Sequence, residues 1–105
     1  MTAILRHVVL FSFKPEATTG DVDTIVTGFA ALPAAIPCIV GWEWGTNVSP
    51  EGLNAGFTHC FTLSFASAED RDAYLVHPAH QHFVGTLENT LQASLVIDYW
   101  AGAAD

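Results

Sequence analysis

Residues 7–14, HVVLFSFK, are dense in β-branched and aromatic side chains, and they are largely apolar on both faces of the strand they predict. His7, Val9, Phe11 and Phe13 share one parity; Val8, Leu10 and Ser12 share the other. Residues 57–65, FTHCFTLSF, repeat the pattern, with His59, Phe61, Leu63 and Phe65 alternating against Thr58, Cys60, Thr62 and Ser64. A chain of 105 residues can build a single core. Helices packed on a sheet in such a chain cover one face, so strands apolar on both sides require a second partner for the other.

The remaining elements follow from periodicity and punctuation. Val22, Ile25, Val26, Phe29 and Leu32 recur at helical spacing, with Thr18 or Thr19 as the cap and Pro33 as the stop. IVGWEWGTNV predicts a second strand, and SPEGLNAG a loop. SAEDRDAYLV predicts a helix opened by a Ser67–Asp70 capping box. Pro78 suits the first position of a further helix, expected to run through Phe83, Val84, Leu87 and Leu91. SLVIDYW predicts a fourth strand, and residues 101–105 a frayed tail. The order β-α-β-β-α-β is the ferredoxin-like α+β arrangement, read as one domain over residues 1–105 with helices on one face of an antiparallel sheet. The uncovered apolar face predicts a two-fold homodimer in which two sheets pack face to face.

Charge narrows the partners. Arg6, Lys14 and Arg71 are the only basic residues against a net charge of −8, so the phosphate contacts of nucleic-acid binding are not expected. Anionic membrane surfaces are excluded on the same ground, and no apolar run is long enough to span a bilayer. The N-terminal segment does not read as a signal peptide, which leads to an expected place in the cytoplasm. Cys38 and Cys60 sit in apolar settings and read as inert buried thiols.

AYLVHPAHQHF, residues 73–83, brings Tyr74, His77, His80 and His82 together in a chain with five histidines and two tyrosines. A helix opening at Pro78 sets His77 and His80 one turn apart, beside the break that follows Tyr74. His7 and His59, on strands one and three, are expected to look into the space at that break. Such a set could ligate a metal, perform acid–base chemistry through a histidine and a tyrosine hydroxyl, or merely cap and fill the fold. No recognised zinc spacing is present, and nothing resembles a nucleotide, flavin or phosphate-loop signature. Neither a metal nor a cofactor is therefore expected. Asp98, in IDYW, reads as a local hydrogen-bonding residue.

The segments RHVVLFSFKPEAT, IPCIVGWEWGTNVSPEGLNAGFTHCFTLSF and YLVHPAHQHF together resemble the stress-responsive dimeric α/β-barrel (Dabb) family, over nearly the whole chain. The resemblance implies two ferredoxin-like sheets closing into an α/β barrel. Through the family's polyketide cyclases it also implies a cofactor-independent aldol-type condensation, or lyase chemistry, on a β-dicarbonyl or polyketide substrate. His80 is then the general base and Tyr74 the group that orients it or polarises a carbonyl. His7, His59, Phe29 and His77 would line the substrate pocket. Phe29 stands where the cyclases carry a tyrosine, and His82 where they carry a small residue, expected to narrow the mouth. The alternative is a non-catalytic, stress-associated dimer that binds a small hydrophobic ligand.

Overall fold

The computed structural model describes residues 3–102 of the chain. Eight elements follow in order: β1 (Ile4–Phe13), α1 (Thr19–Ala30), α2 (Leu32–Ala35), β2 (Gly41–Thr46), β3 (His59–Phe65), α3 (Ala68–Leu75), α4 (Pro78–Gly85) and β4 (Leu91–Ala101). The strands form one antiparallel sheet in the order β2-β3-β1-β4, which places the two strands with two-sided apolar patterns, β1 and β3, in its middle. This is the ferredoxin-like α+β fold expected from the element order.

Helix boundaries follow from local chemistry. Thr18 opens α1 with a reciprocal capping box: its hydroxyl accepts from Asp21 N–H and the Asp21 carboxylate accepts from Thr18 N–H, each at 3.0 Å. Ser67 caps α3 by accepting from Asp70 N–H at 3.1 Å. Pro33 does not terminate the long helix, which ends at Ala30; it sits in the first turn of α2, where its missing N–H is harmless. The last helix also stops earlier than its apolar spacing suggests. Leu91 opens β4, and Thr86 turns its hydroxyl onto the Phe83 carbonyl at 2.6 Å, taking up a helix-end acceptor. Ala101 closes β4 opposite Ile4, so the tail begins later than expected; residues 103–105 lie outside the described residues.

One face of the sheet meets the helices. Leu5, His7, Val9 and Phe11 of β1 and Phe61, Leu63 and Phe65 of β3 are buried there against Ile25, Phe29, Leu32, Tyr74 and Phe83. Phe29 stacks on Phe61 at 4.5 Å between ring centroids and meets Phe83 at 4.7 Å, tying α1 and α4 to the sheet. Each fully buried side chain of this size contributes about 1.5–3 kcal/mol. The phenylalanines that made the strands look two-sided thus belong to the covered face. The other face presents Val8, Leu10, Cys60, Thr62, Leu95, Ile97 and Tyr99, with the last three 42%, 56% and 50% exposed, and no helix among the described residues packs on it.

Candidate active site

Helices α3 and α4 are separated by a break at Val76 and His77. The break has a direct consequence: the Leu75 carbonyl, near the end of α3, is released to other donors. His80 Nδ1 lies 3.0 Å from that oxygen, and Gln81 Nε2 donates to it at 2.8 Å. A carbonyl oxygen only accepts, so Nδ1 carries the hydrogen and the lone pair of neutral His80 resides on Nε2. Burial, joined by the nearby His7, holds the His80 pKa below the ordinary histidine value against the opposing effect of the Leu75 bond. At neutral pH the ring is therefore an uncharged base.

Tyr74, in the last turn of α3, lies against His80 with ring centroids 4.4 Å apart. Its ring is 1% exposed, and burial pushes its hydroxyl pKa well above the usual tyrosine range. Tyr74 consequently remains a neutral O–H donor. On the sheet side of the cavity, His7 meets the Tyr74 ring edge-on at 5.7 Å. Its Nδ1 lies 2.7 Å from Asp98 Oδ1, and Arg71 Nη1 donates to Asp98 Oδ2 at 2.8 Å. These groups line a cavity of about 590 Å³, closed on its apolar side by Val9, Phe11, Phe29, Phe83 and Leu87.

The structure therefore brings His80, Tyr74, His7 and Phe29 together, and it separates two residues expected with them. His59 faces the same side of the sheet but is displaced along it: Leu63 is the residue opposite His7, and His59 lies four positions further along β3, about 13 Å away. There it stacks on Trp44 at 5.9 Å, meets Phe13 at 5.0 Å and lines a separate groove of about 560 Å³ with Asn54 and Thr58. Burial lowers the pKa of His59 as well. His77 is a helix cap; its Nδ1 accepts from Ala79 N–H at 3.0 Å, and it is not among the residues that line the cavity. His82 is exposed and away from the cavity, so it does not narrow the mouth.

Two cavity residues escaped the sequence reading. Asp98 is not a local end-of-strand hydrogen bonder but the link between His7 and Arg71. Its signal was a lone carboxylate in an otherwise apolar strand, LVIDYW. Arg71 gave no signal, because an arginine on a short polar helix looks like any solvated residue. Among the described residues, no three His, Cys, Asp or Glu side chains gather as a metal site. No helix among them is long and apolar enough to cross a membrane.

Comparison with known proteins decides the family. The description "Stress responsive A/B Barrel Domain" (Dabb) matches residues 5–101. The chain belongs to this family. Among other Dabb proteins, the stress-response A/B barrel domain-containing protein HS1 of Arabidopsis thaliana is 37% identical over 90% of this chain and 87% of its own. Olivetolic acid cyclase of Cannabis sativa is 27% identical over 90% of this chain and 94% of its own. The hydroxynitrile lyase of Passiflora edulis superposes with a TM-score of 0.91, at 24% identity, over 100% of this chain and 99% of its own, a likeness of fold. Structures from Bacteroides fragilis and Thermobifida fusca, each 24% identical with TM-scores of 0.75 and 0.79, are described as dimeric proteins of ferredoxin-like fold.

Proposed function

We propose that the cavity performs cofactor-independent acid–base chemistry on a carbonyl compound, as an aldol-type cyclisation or a related lyase reaction of a β-dicarbonyl or polyketide substrate. The observation that carries this reading is the pairing of a neutral, oriented imidazole with a buried phenol in one cavity. His80 Nε2 takes a proton from the carbon between two carbonyls. The resulting enolate carbon attacks a second carbonyl carbon, and the oxygen that gains charge is held by the Tyr74 O–H. The raised pKa of Tyr74 suits a hydrogen-bond donor that keeps its proton. The apolar wall from Phe11, Phe29, Phe83 and Leu87 suits the carbon chain of such a substrate.

The cyclase among the relatives supports this reaction class, and the homodimer is part of the same proposal: the second copy covers the bare sheet face. The test is turnover of linear poly-β-ketoacyl thioesters by wild-type protein and by His80→Ala. Loss of about 10²–10⁴-fold in rate is expected for the variant. Equal rates for the two proteins would exclude His80 as the base. The relative described only by its stress-response domain favours a second reading, a dimer that binds a hydrophobic ligand without converting it. Ligand-dependent melting with no product would select that reading.

A further inference from the structure

The cavity holds a second imidazole with an orienting system of its own. His7 on β1 and Asp98 on β4 are register partners across the ladder, so the sheet itself brings their side chains to one face. Asp98 then stands between two donors: His7 Nδ1 at 2.7 Å on one oxygen, and Arg71 Nη1 at 2.8 Å on the other. Arg71 is held in turn by Asp72, which accepts from its Nε at 2.9 Å. With two carboxylates on one guanidinium, Arg71 is not a free cation awaiting a substrate anion; it fixes the Asp98 carboxylate in place.

A carboxylate only accepts, so His7 Nδ1 carries a hydrogen in both protonation states of the ring. The exchangeable position is therefore Nε2, and no hydrogen bond reaches that nitrogen among the described residues. Tyr74 touches both rings, with His7 at 5.7 Å and His80 at 4.4 Å, so a substrate beside the phenol is within reach of two imidazoles. An aldol closure needs two proton transfers, one from carbon and one to the new alkoxide. A single base would have to serve both.

We propose that His7 is a second proton-transfer group of this site, acting through Nε2, with Asp98 and Arg71 as the residues that position it. This rests on the acid–base reading of the cavity. In the closure, the carbon-bound proton passes to His80 Nε2 and the carbon–carbon bond forms. His80 then passes that proton through water to the lone pair on His7 Nε2, and His7 delivers it from Nε2 to the alkoxide. Each imidazole ends the cycle in the protonation state in which it began, with no net proton consumed.

The experiment is ¹⁵N NMR of histidine-labelled full-length protein without ligand, joined to rates for any substrate the wild type converts. Neutral His7 is expected as the Nδ1–H tautomer, and Asp98→Leu is expected to lose that tautomer and to lower kcat by about 10²-fold with little change in KM. A neutral wild-type His7 bearing its single hydrogen on Nε2 overturns the proposal, and this spectrum decides even if the variant does not fold. Turnover unaffected by Asp98→Leu overturns the role of His7 alone, whereas wild-type protein with the expected tautomer and no turnover overturns the acid–base reading of the whole cavity.

Discussion

At the scale of single residues, the site depends on which nitrogen holds a proton. His80 donates through Nδ1 to Leu75, and its pKa lies below 6.5 because burial disfavours the charged ring. Activity is therefore expected to rise with pH through a value below 6.5 and then level off, since only neutral His80 accepts a proton. A pH–rate profile checks this, and an acid limb centred above 6.5 would contradict the assignment. Tyr74→Phe keeps the packing and removes the donor; a loss of about 10²–10³-fold in kcat is expected, measured with the melting temperature unchanged. These residues were partly legible beforehand. Tyr74 and His80 stand out because rare polar types cluster around Pro78. Asp98 and Arg71 do not, because their importance arises from pairing between β4 and α3, 27 positions apart.

At the scale of elements, the α3–α4 break connects sequence to chemistry. Val76 and His77 interrupt the helix, Pro78 restarts it, and the freed Leu75 carbonyl orients His80. Thr18 and His77 cap α1 and α4 by the same kind of bond, so replacing either by alanine is expected to lower stability by about 1 kcal/mol, read by denaturant titration. Only His77→Ala is expected to lower turnover as well, because α4 carries His80 and α1 carries no proton-transfer group. Element types and order were readable from periodicity and caps. The end of α4 was not: Leu87 and Leu91 extend the helical spacing, but the chain must reverse there to enter β4. The location of His59 was not readable either, since strand parity places a residue on a face without saying how far along the face it lies.

At the scale of the whole molecule, two terms act on stability beside the core: the bare sheet face and the half-buried histidines. Leu95 and Ile97 lie on that face, midway along the edge strand β4, and Ile97→Lys is expected to give monomers by light scattering if two sheets pack there. His80 and His59 both have pKa values lowered by burial, so the unfolded chain binds more protons below 6.5. Their contribution is fully present above pH 6.5 and is lost as pH falls through the lower folded values, which a series of melting curves would follow. The two-sided strand pattern pointed to a covering partner, but the large aromatics proved to belong to the face the helices cover, and a second copy on the other face is the proposal that Ile97→Lys tests. The cavity was less legible, because its volume depends on how far α3 and α4 stand from β4.

Proton abstraction by His80 can be measured without knowing the natural substrate. Hydrogen–deuterium exchange at the central carbon of a β-keto ester in D₂O, followed by NMR near neutral pH, reads that step alone. Wild-type protein is expected to accelerate the exchange and His80→Ala to return it to the buffer rate. Equal exchange with the two proteins would contradict base catalysis in this cavity.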